Sequence, residues 1–196
     1  MNFSDLFQEV VTITARPDLV AETELAIRSA TIKAHSIDYF SKDIHETLIE
    51  AESPDYIHGI DYISIIPNFR SIKYLRKYDK ANAAVGEFIS VITPDEVLDS
   101  YGRDKTDVCY IAGRVLEIRS STKIDAMILG CYVLPVITKA NYSSWVAELC
   151  PYAIIIEAAR VIFGLTGDLE QRNAYRELIA EQYELLRMSA LADVGY

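Results

Sequence analysis

Residues 151–196 read PYAIIIEAARVIFGLTGDLEQRNAYRELIAEQYELLRMSALADVGY, and their spacing predicts two consecutive helices that end in a short tail. In the first arm, apolar side chains recur at steps of three and four residues, which places them on one face of a helix. These residues are Tyr152, Ile156, Ala159 and Phe163, and Trp145 and Leu149 continue the pattern backwards. The stretch contains no recognisable reactive motif, so it indicates assembly rather than catalysis.

The ends of these two helices are also marked in the sequence. Pro151 begins or kinks the first helix, since proline fits the first turn but not the interior. Gly164 and Gly167 bracket the predicted connection, where glycine adopts a left-handed C-cap at no steric cost. Asp168 is placed to cap the second helix, with Gln171 completing a capping box. A helical hairpin is therefore predicted, and its second arm has an apolar stripe of Tyr175, Leu178, Leu185 and Met188.

Composition narrows the class of protein. The chain has 196 residues, half of them hydrophobic, so it can bury a core as one domain or one domain with a large insertion. The most apolar stretch, YAIIIEAARVIFGL, is interrupted by Glu157 and Arg160, so no membrane span is expected, and no secretory signal is expected at the N-terminus. A net charge of −10 argues against tight binding of nucleic acid. Cys109, Cys131 and Cys150 lack CxxC spacing and indicate small buried thiols in a reduced compartment.

Helical patterns lie at both ends of the chain, and strand patterns lie in the middle. Residues 3–13 predict a short amphipathic helix, and the apolar stripe from Val20 to Phe40 predicts a second one after Pro17. Segments rich in β-branched and aromatic residues predict strands over 60–66, 71–78, 87–92, 109–119 and 125–135, with a hairpin loop around Ser120–Lys123. A short helix is predicted over 93–102, with a capping box from Thr93 to Glu96.

The predicted fold class is therefore α+β: a helical bundle built from the N- and C-terminal helices, with an inserted, mostly antiparallel β domain. The predicted divisions are an N-terminal helical hairpin at 1–43, the β-rich domain at 44–138, a C-terminal helical hairpin at 139–190 and a docking tail at 191–196. No low-complexity linker separates these parts.

Motifs of catalysis and metal binding are incomplete. His45-Glu46-Thr47-Leu48-Ile49 begins like the zinc-protease HExxH, but isoleucine occupies the position of the second ligand. His35, His45 and His58 lack ligand spacing and are interpreted as ordinary, partly exposed histidines. Residues 101–106 contain the Lys-Thr of a phosphate loop without its glycine pattern. No cofactor or metal is expected.

A run of basic residues alternates with aromatic and aliphatic ones between 70 and 80. Its alternatives are the polar face of a strand and a nucleic-acid surface, and the first is favoured because the chain as a whole is acidic.

The order of elements resembles the head-to-tail adaptor proteins of tailed bacteriophages, a group that includes tail tubular protein A and the gatekeeper-like adaptors. The resemblance covers nearly the whole chain: an N-terminal helical pair, DYISIIPNFRSIKYLRKYD, TPDEV, YIAGRVLEIRSSTKIDAMILGCYVLP, then Pro151 leading into a helix, Thr166-Gly167-Asp168 and a tyrosine-containing final helix. It implies a structural virion protein at the head–tail junction, made in the bacterial cytoplasm and without enzymatic activity.

Partners and sites follow from the same resemblance. It implies a homo-oligomer, a twelvefold ring, that contacts the portal protein and a downstream tail or nozzle protein while DNA passes through without specific binding. The portal contact is expected at the C-terminus, over Ser189, Ala190, Leu191, Ala192, Asp193, Val194, Gly195 and Tyr196. The resemblance also implies ring or tail contacts on the central sheet, for which the candidate residues are Arg70, Lys73, Tyr74, Arg76, Lys77 and Tyr78. Two alternatives stay open: a monomeric cytoplasmic ligand-binding or regulatory domain, and a small enzyme whose pocket carries no recognisable motif.

Overall fold

A computed structural model describes residues 1–192, with the side chains of all except 52, 53 and 190–192. The chain divides into two compact units. The helical unit comprises Met1–Asp43 and the chain from Leu134 onward, and the β unit comprises Ile44–Val133. In the described part of the chain, no helix is both long enough and apolar enough to cross a membrane.

Six helices are described. They are α1 (Phe3–Thr14), α2 (Val20–Ser36), α3 (Tyr62–Ile65), α4 (Trp145–Leu149), α5 (Tyr152–Thr166) and α6 (Leu169–Ala192), with 3₁₀ turns at Ser41–Asp43 and Pro94–Glu96. The two predicted N-terminal helices are confirmed as α1 and α2. Asn2 and Asp5 cap α1 reciprocally, which satisfies two backbone N–H groups that a helix start leaves unpaired.

The predicted C-terminal hairpin is confirmed as α5 and α6. Pro151 precedes α5, and Gly167 ends it with a φ of 79°, a conformation that glycine adopts without a β-carbon clash. The Asp168 carboxylate accepts a hydrogen bond from the Gln171 N–H at 3.0 Å. Gly164 lies inside α5 rather than in the connection, and Trp145 belongs to the separate helix α4, so these two parts of the prediction are wrong.

Helix α5 lies at the centre of the helical unit and packs against α1, α2, α4 and α6. Alanines on α2 and α5 let the helices approach closely, and large aliphatic side chains fill the remaining space. The fully buried aliphatic residues of this core include Leu6, Val10, Ile27, Ile154, Ile155, Ile162 and Leu186.

Seven strands are described. They are β1 (Ile44–Asp61), β2 (Phe69–Asp79), β3 (Ala84–Val91), β4 (Val108–Ala112), β5 (Val115–Val133), β6 (Val136–Ile137) and β7 (Tyr142–Ser143). The first five form one sheet in the order β1-β5-β2-β3-β4, and β6 pairs with β7 alone.

The fold class predicted from the sequence, a helical bundle with an inserted, mostly antiparallel β domain, is wrong. Four strands close into a barrel: β5 pairs with β2, β2 with β3, β3 with β4, and β4 returns to β5. The β3–β4 pairing is parallel. The protein is thus α+β, with helices towards both ends of the chain and a closed four-strand barrel in the middle.

The length of β5 makes the closure possible. Its first half, residues 115–119, pairs with β4, and its second half, residues 127–133, pairs with β2. The predicted hairpin loop around Ser120–Lys123 is wrong, because these residues continue the strand. The tight turn lies instead before β5, at Gly113, whose φ is 64°.

Other predictions for the middle of the chain need correction. The predicted strand over 60–66 is the end of β1 followed by the short helix α3. The predicted helix over 93–102 is only the 3₁₀ turn Pro94–Glu96, although its capping box between Thr93 and Glu96 is present. The barrel core is filled by aliphatic and sulfur-containing side chains, among them Leu75, Leu116, Ile118, Met127, Leu129 and Cys131.

Asp107 links three parts of the barrel just before β4. Its carboxylate lies 2.7 Å from the Lys77 ammonium on β2 and accepts a hydrogen bond from the Ser121 N–H at 3.0 Å. Burial raises the pKa of this carboxyl, but the hydrogen bonds from Lys77 and Ser121 outweigh it and bring the pKa to about 2. Asp107 also has a φ of 58°, which asparagine tolerates as well.

We expect barrel stability to depend on the charge of Asp107. Because its folded-state pKa lies below the ordinary value of 3.8, its contribution is complete above about pH 4 and is lost as the pH falls through 2. Asp107→Asn keeps the backbone conformation and should lower the free energy of unfolding by about 1–2 kcal/mol at pH 7, with little effect near pH 2. Urea unfolding at pH 7, 4 and 2.5 measures this difference. A difference between variant and wild type that is the same at each pH would contradict the prediction.

Candidate interaction surfaces

The six predicted ring or tail residues all lie on β2, but the structure does not bring all of them to one surface. Lys77 is only 12% exposed and is held by Asp107. Lys73 is exposed, with its ammonium 5.7 Å from the centre of the Tyr132 ring. Arg70 and Tyr78 are half-buried, at the two ends of the strand. Of the six, Tyr74 and Arg76 lie together on the outer surface of the barrel.

That outer surface, here called the barrel face, consists of Glu46, Leu48, Tyr74, Arg76 and Phe88. Phe88 is 61% exposed, and the Arg76 guanidinium lies 4.6 Å from the centre of its ring. The Tyr74 ring meets Phe88 edge-on at 6.2 Å, and its hydroxyl donates to the Glu46 carboxylate. This hydrogen bond, together with burial, raises the pKa of Tyr74. Aromatic rings beside an arginine are typical of contact surfaces between proteins.

Strand register explains how the barrel face forms. Leu48 on β1 is opposite Ile128 on β5, Ile128 is opposite Arg76 on β2, and Arg76 is opposite Phe88 on β3. A β-carbon at Gly130 would lie 2.3 Å from the end of the Tyr74 ring, so glycine is what lets this ring lie across β5. Sequence reasoning missed Phe88 because strand pairing, which the sequence does not state, decides its neighbours.

A second surface lies on α6. Three apolar residues, here called the α6 stripe, face solvent: Leu178 is 43% exposed, Leu185 55% and Met188 66%. The sequence predicts this stripe as the helix's apolar side, but the structure packs Ile179 and Leu186 inward instead. Those two residues lie one position further along, about 100° around the helix. The apolar residues of α6 thus supply both a buried side and an exposed one.

A third surface is a shallow groove along α2, of about 510 Å³. This α2 groove is lined by Leu25, Arg28, Ser29, Ile32, Lys33, Ser36 and Ile137. Leu25 is strongly exposed, and Ile32 is half-buried. The groove combines apolar side chains with the Arg28 guanidinium and with the Lys33 ammonium, which is paired with Glu157 at 2.7 Å. This composition suits an amphipathic helix.

The predicted portal interface begins at the end of α6. The Ser189 hydroxyl donates to the Leu186 carbonyl at 2.9 Å, as in a regular helix terminus. Ala190, Leu191 and Ala192 continue α6, whereas Asp193, Val194, Gly195 and Tyr196 lie outside the described residues. The portal contact over 189–196 stays a prediction.

The group that most resembles a catalytic site is a buried network in the helical unit. His35 Nδ1 lies 2.7 Å from Asp43 Oδ1, and His35 Nε2 lies 2.9 Å from Ser144 Oγ. The Trp145 indole N–H also donates to Asp43 Oδ1, at 2.7 Å. Serine, histidine and aspartate therefore have the connectivity of a nucleophile, a base and an orienting acid.

The same contacts have a structural explanation. Ser144 Oγ accepts the Ala147 N–H at 3.2 Å and so caps α4, which leaves its own proton to donate to His35. His35 then donates from Nδ1 to Asp43, and each hydrogen of this chain has an acceptor. Ser144 is only 5% exposed, and His35 and Asp43 are buried. A substrate carbonyl could not reach Ser144 in this conformation, so the network fixes α4 and the 3₁₀ turn at Asp43.

Buried histidines correct the sequence interpretation. His35 is one of the most buried side chains of the helical unit, and His58 is buried with its Nε2 2.8 Å from the Ile124 carbonyl oxygen. Ser144 and Ile124, which complete the hydrogen bonds of these two rings, are distant in sequence, so spacing gave no signal for them. Only His45 remains outside the buried set. Among the described residues, no group of three or more His, Cys, Asp or Glu side chains is placed to hold a metal ion.

Glu157 is a buried carboxylate whose charge is paired. The Glu157 carboxylate on α5 lies 2.7 Å from the Lys33 ammonium and 2.8 Å from the Arg160 guanidinium. Burial raises the pKa of Glu157, but hydrogen bonds from Arg160 and Lys33 outweigh it, so the pKa is lowered. Burial raises the pKa of Cys109 to about 12 and that of Cys131 to about 11, as expected of unreactive core thiols.

No known protein-family model and no curated protein matches this sequence.

Proposed function

We propose that this protein is a head–tail adaptor of a tailed bacteriophage. In this proposal its copies form a ring, twelvefold as in the family it resembles, under the portal, link the capsid to the tail and line the DNA channel. The observation that carries the proposal is the α6 stripe, an apolar row exposed on the longest described helix. That helix leads into the segment that the resemblance assigns to the portal.

The α6 stripe supports assembly for a physical reason. Single exposed apolar side chains are common on monomeric proteins, but Leu178, Leu185 and Met188 recur at steps of seven and three on one side of the helix. This spacing is typical of helix-on-helix contact. Covering the stripe with a second protein surface would remove apolar area from water, which favours association.

The barrel face supports a separate contact with a tail component. Its Phe88, Arg76 and Tyr74 already contact one another, so little side-chain entropy is lost when a partner covers them. The net charge of −10 is compatible with a DNA channel, because carboxylates repel phosphates and let the duplex pass without being held.

A small enzyme is the second candidate, because Ser144, His35 and Asp43 are connected as in a hydrolase triad. Their burial argues against it. The monomeric regulatory domain, the other alternative, predicts no association of this chain with a portal ring.

Mass measurement in solution tests the proposal. The purified chain is measured by sedimentation velocity and native mass spectrometry, alone and with the portal ring of the same phage, and an unrelated portal ring serves as control. We expect the cognate portal to gain mass in steps of 22.1 kDa, the mass of one chain, until a closed ring is complete. A chain that stays monomeric with its own portal, or that binds both portals equally, would overturn the adaptor function.

A further inference from the structure

We infer that the α6 stripe of one copy packs into the α2 groove of the next copy, and that this contact closes the ring. The inference rests on the proposed function and specifies its subunit interface. The occupant of the groove is a second copy of this chain, for the three reasons that follow.

The two surfaces match in spacing. Leu25 and Ile32 in the groove are seven residues apart on α2, and Leu178 and Leu185 are seven residues apart on α6. Seven helical residues rise about 10 Å, so both pairs of side chains have the same separation. Ser29 and Ser36 alternate with the apolar residues of the groove and leave room for leucine side chains between them.

The two surfaces also match in charge. Glu181 lies on the same side of α6 as the stripe, between Leu178 and Leu185, and Arg28 lies beside Leu25 and Ile32. When the two helices run antiparallel with these apolar pairs side by side, Glu181 faces Arg28. Among the described residues, no ion pair within 4 Å involves Glu181, so its carboxylate can pair with a cation on another copy.

Arg28 supplies the third reason. Its side chain is 39% exposed, and its ion pair with Glu24 on the same helix is a long one, at 3.9 Å. Glu24 lies closer to Lys139, at 2.7 Å. The Arg28 guanidinium, 5.9 Å from the Phe3 ring centre, thus has exposed N–H donors that a carboxylate of a neighbouring copy can reach.

Because the groove and the stripe are different surfaces, the contact is heterologous and repeats from copy to copy until the rotation closes. This geometry allows a charge-reversal test with two single variants. Arg28→Glu places two carboxylates opposite each other between identical copies, and Glu181→Arg places two guanidinium groups opposite each other. In a mixture of the two variants, every interface of an alternating ring again has one of each charge.

We expect each variant alone to need at least about tenfold more protein for half-maximal assembly, on the portal or by itself, and a 1:1 mixture to restore assembly. Sedimentation velocity at low salt measures this. Glu9→Arg makes the same charge change at an exposed residue of α1 that belongs to neither surface and should assemble like the wild type. Leu185→Asp, at an exposed position, should lose assembly while keeping the wild-type melting temperature.

Two results would overturn the inference alone: variants that assemble as the wild type does, or folded variants whose mixture stays dissociated. Either result leaves the adaptor function standing, because the wild type still forms its ring on the portal. A wild type that never associates, with itself or with its portal, overturns both the inference and the proposed function.

Discussion

Replacing Asp43 with alanine is expected to lower the free energy of unfolding of the helical unit by about 3–5 kcal/mol. Asp43 Oδ1 accepts hydrogen bonds from both His35 and Trp145, each at 2.7 Å. Without the carboxylate, two buried N–H donors lose their acceptor, and each pays the desolvation of an unpaired polar group. Because small domains are stable by about 5–15 kcal/mol, this is a large fraction of the total.

The loss of stability is also large because of where Asp43 lies in the chain. The chain leaves the helical unit after Asp43 and re-enters it at Leu134, and Ser144 lies shortly after this re-entry. The His35 ring therefore connects both chain segments at the point where the unit is interrupted. Losing the network releases α4 together with the 3₁₀ turn Ser41–Asp43.

Urea unfolding followed by circular dichroism and by the fluorescence of Trp145, the only tryptophan, measures the loss. Asp18→Ala is the matched control, since it removes an exposed carboxylate paired with Arg16 in the same unit and should leave the free energy of unfolding nearly unchanged. Ser144→Ala should cost about 1–2 kcal/mol through the lost cap of α4. If Ser144→Ala instead kept full stability and abolished hydrolysis of a nitrophenyl ester, the network would be catalytic.

Local signals in the sequence were sufficient for the four longest helices. The α5–α6 hairpin follows from Pro151, Gly167 and Asp168, each of which acts through its own backbone or that of the next few residues. The same holds for the capping box between Thr93 and Glu96. Such features are short-range, so they do not depend on knowing which elements pack together.

The barrel could not be predicted in the same way. Its closure depends on β5 pairing with β4 along one half and with β2 along the other, and pairing partners are not encoded in the alternation of a single strand. Ser120–Lys123 has the composition of a turn, but it continues β5 between Arg119 and Ile124, which both pair with β1, and its Ser121 N–H donates to the Asp107 carboxylate. The polar composition therefore gave the wrong answer where tertiary pairing decides the structure.

The candidate surfaces, too, could be predicted where they depend on helical spacing but not where they depend on strand pairing. Residues of the α6 stripe are recognisable from helical spacing, but the sequence does not show which of two adjacent apolar rows is buried; Ile179 and Leu186 occupy that role. Tyr74 and Arg76 were among the predicted contact residues, whereas Phe88 and Leu48 join them only through strand register. The buried network of His35, Asp43 and Ser144 gave no signal, because its members are up to 109 residues apart.

Deleting residues 189–196 is expected to abolish binding to the portal ring while the fold is kept. Leu186 is the last core residue described on α6, so a chain ending at Met188 retains every described contact of that core. The deletion removes only the last turn of α6 and the four residues after it, and should cost less than about 1 kcal/mol of stability. Binding should weaken by at least about a hundredfold, measured by sedimentation with a fixed amount of portal.

A shorter deletion locates the contact. Removing only 193–196 keeps the whole of α6, Leu169–Ala192, so the difference between the two deletions isolates Ser189–Ala192. Full loss in the shorter deletion assigns the contact to the final four residues, and loss only in the longer one assigns it to the helix end. Self-association through the α6 stripe should survive both deletions, because Leu178, Leu185 and Met188 are retained. A chain lacking 189–196 that binds the portal with wild-type affinity would show that the C-terminus is not the portal interface.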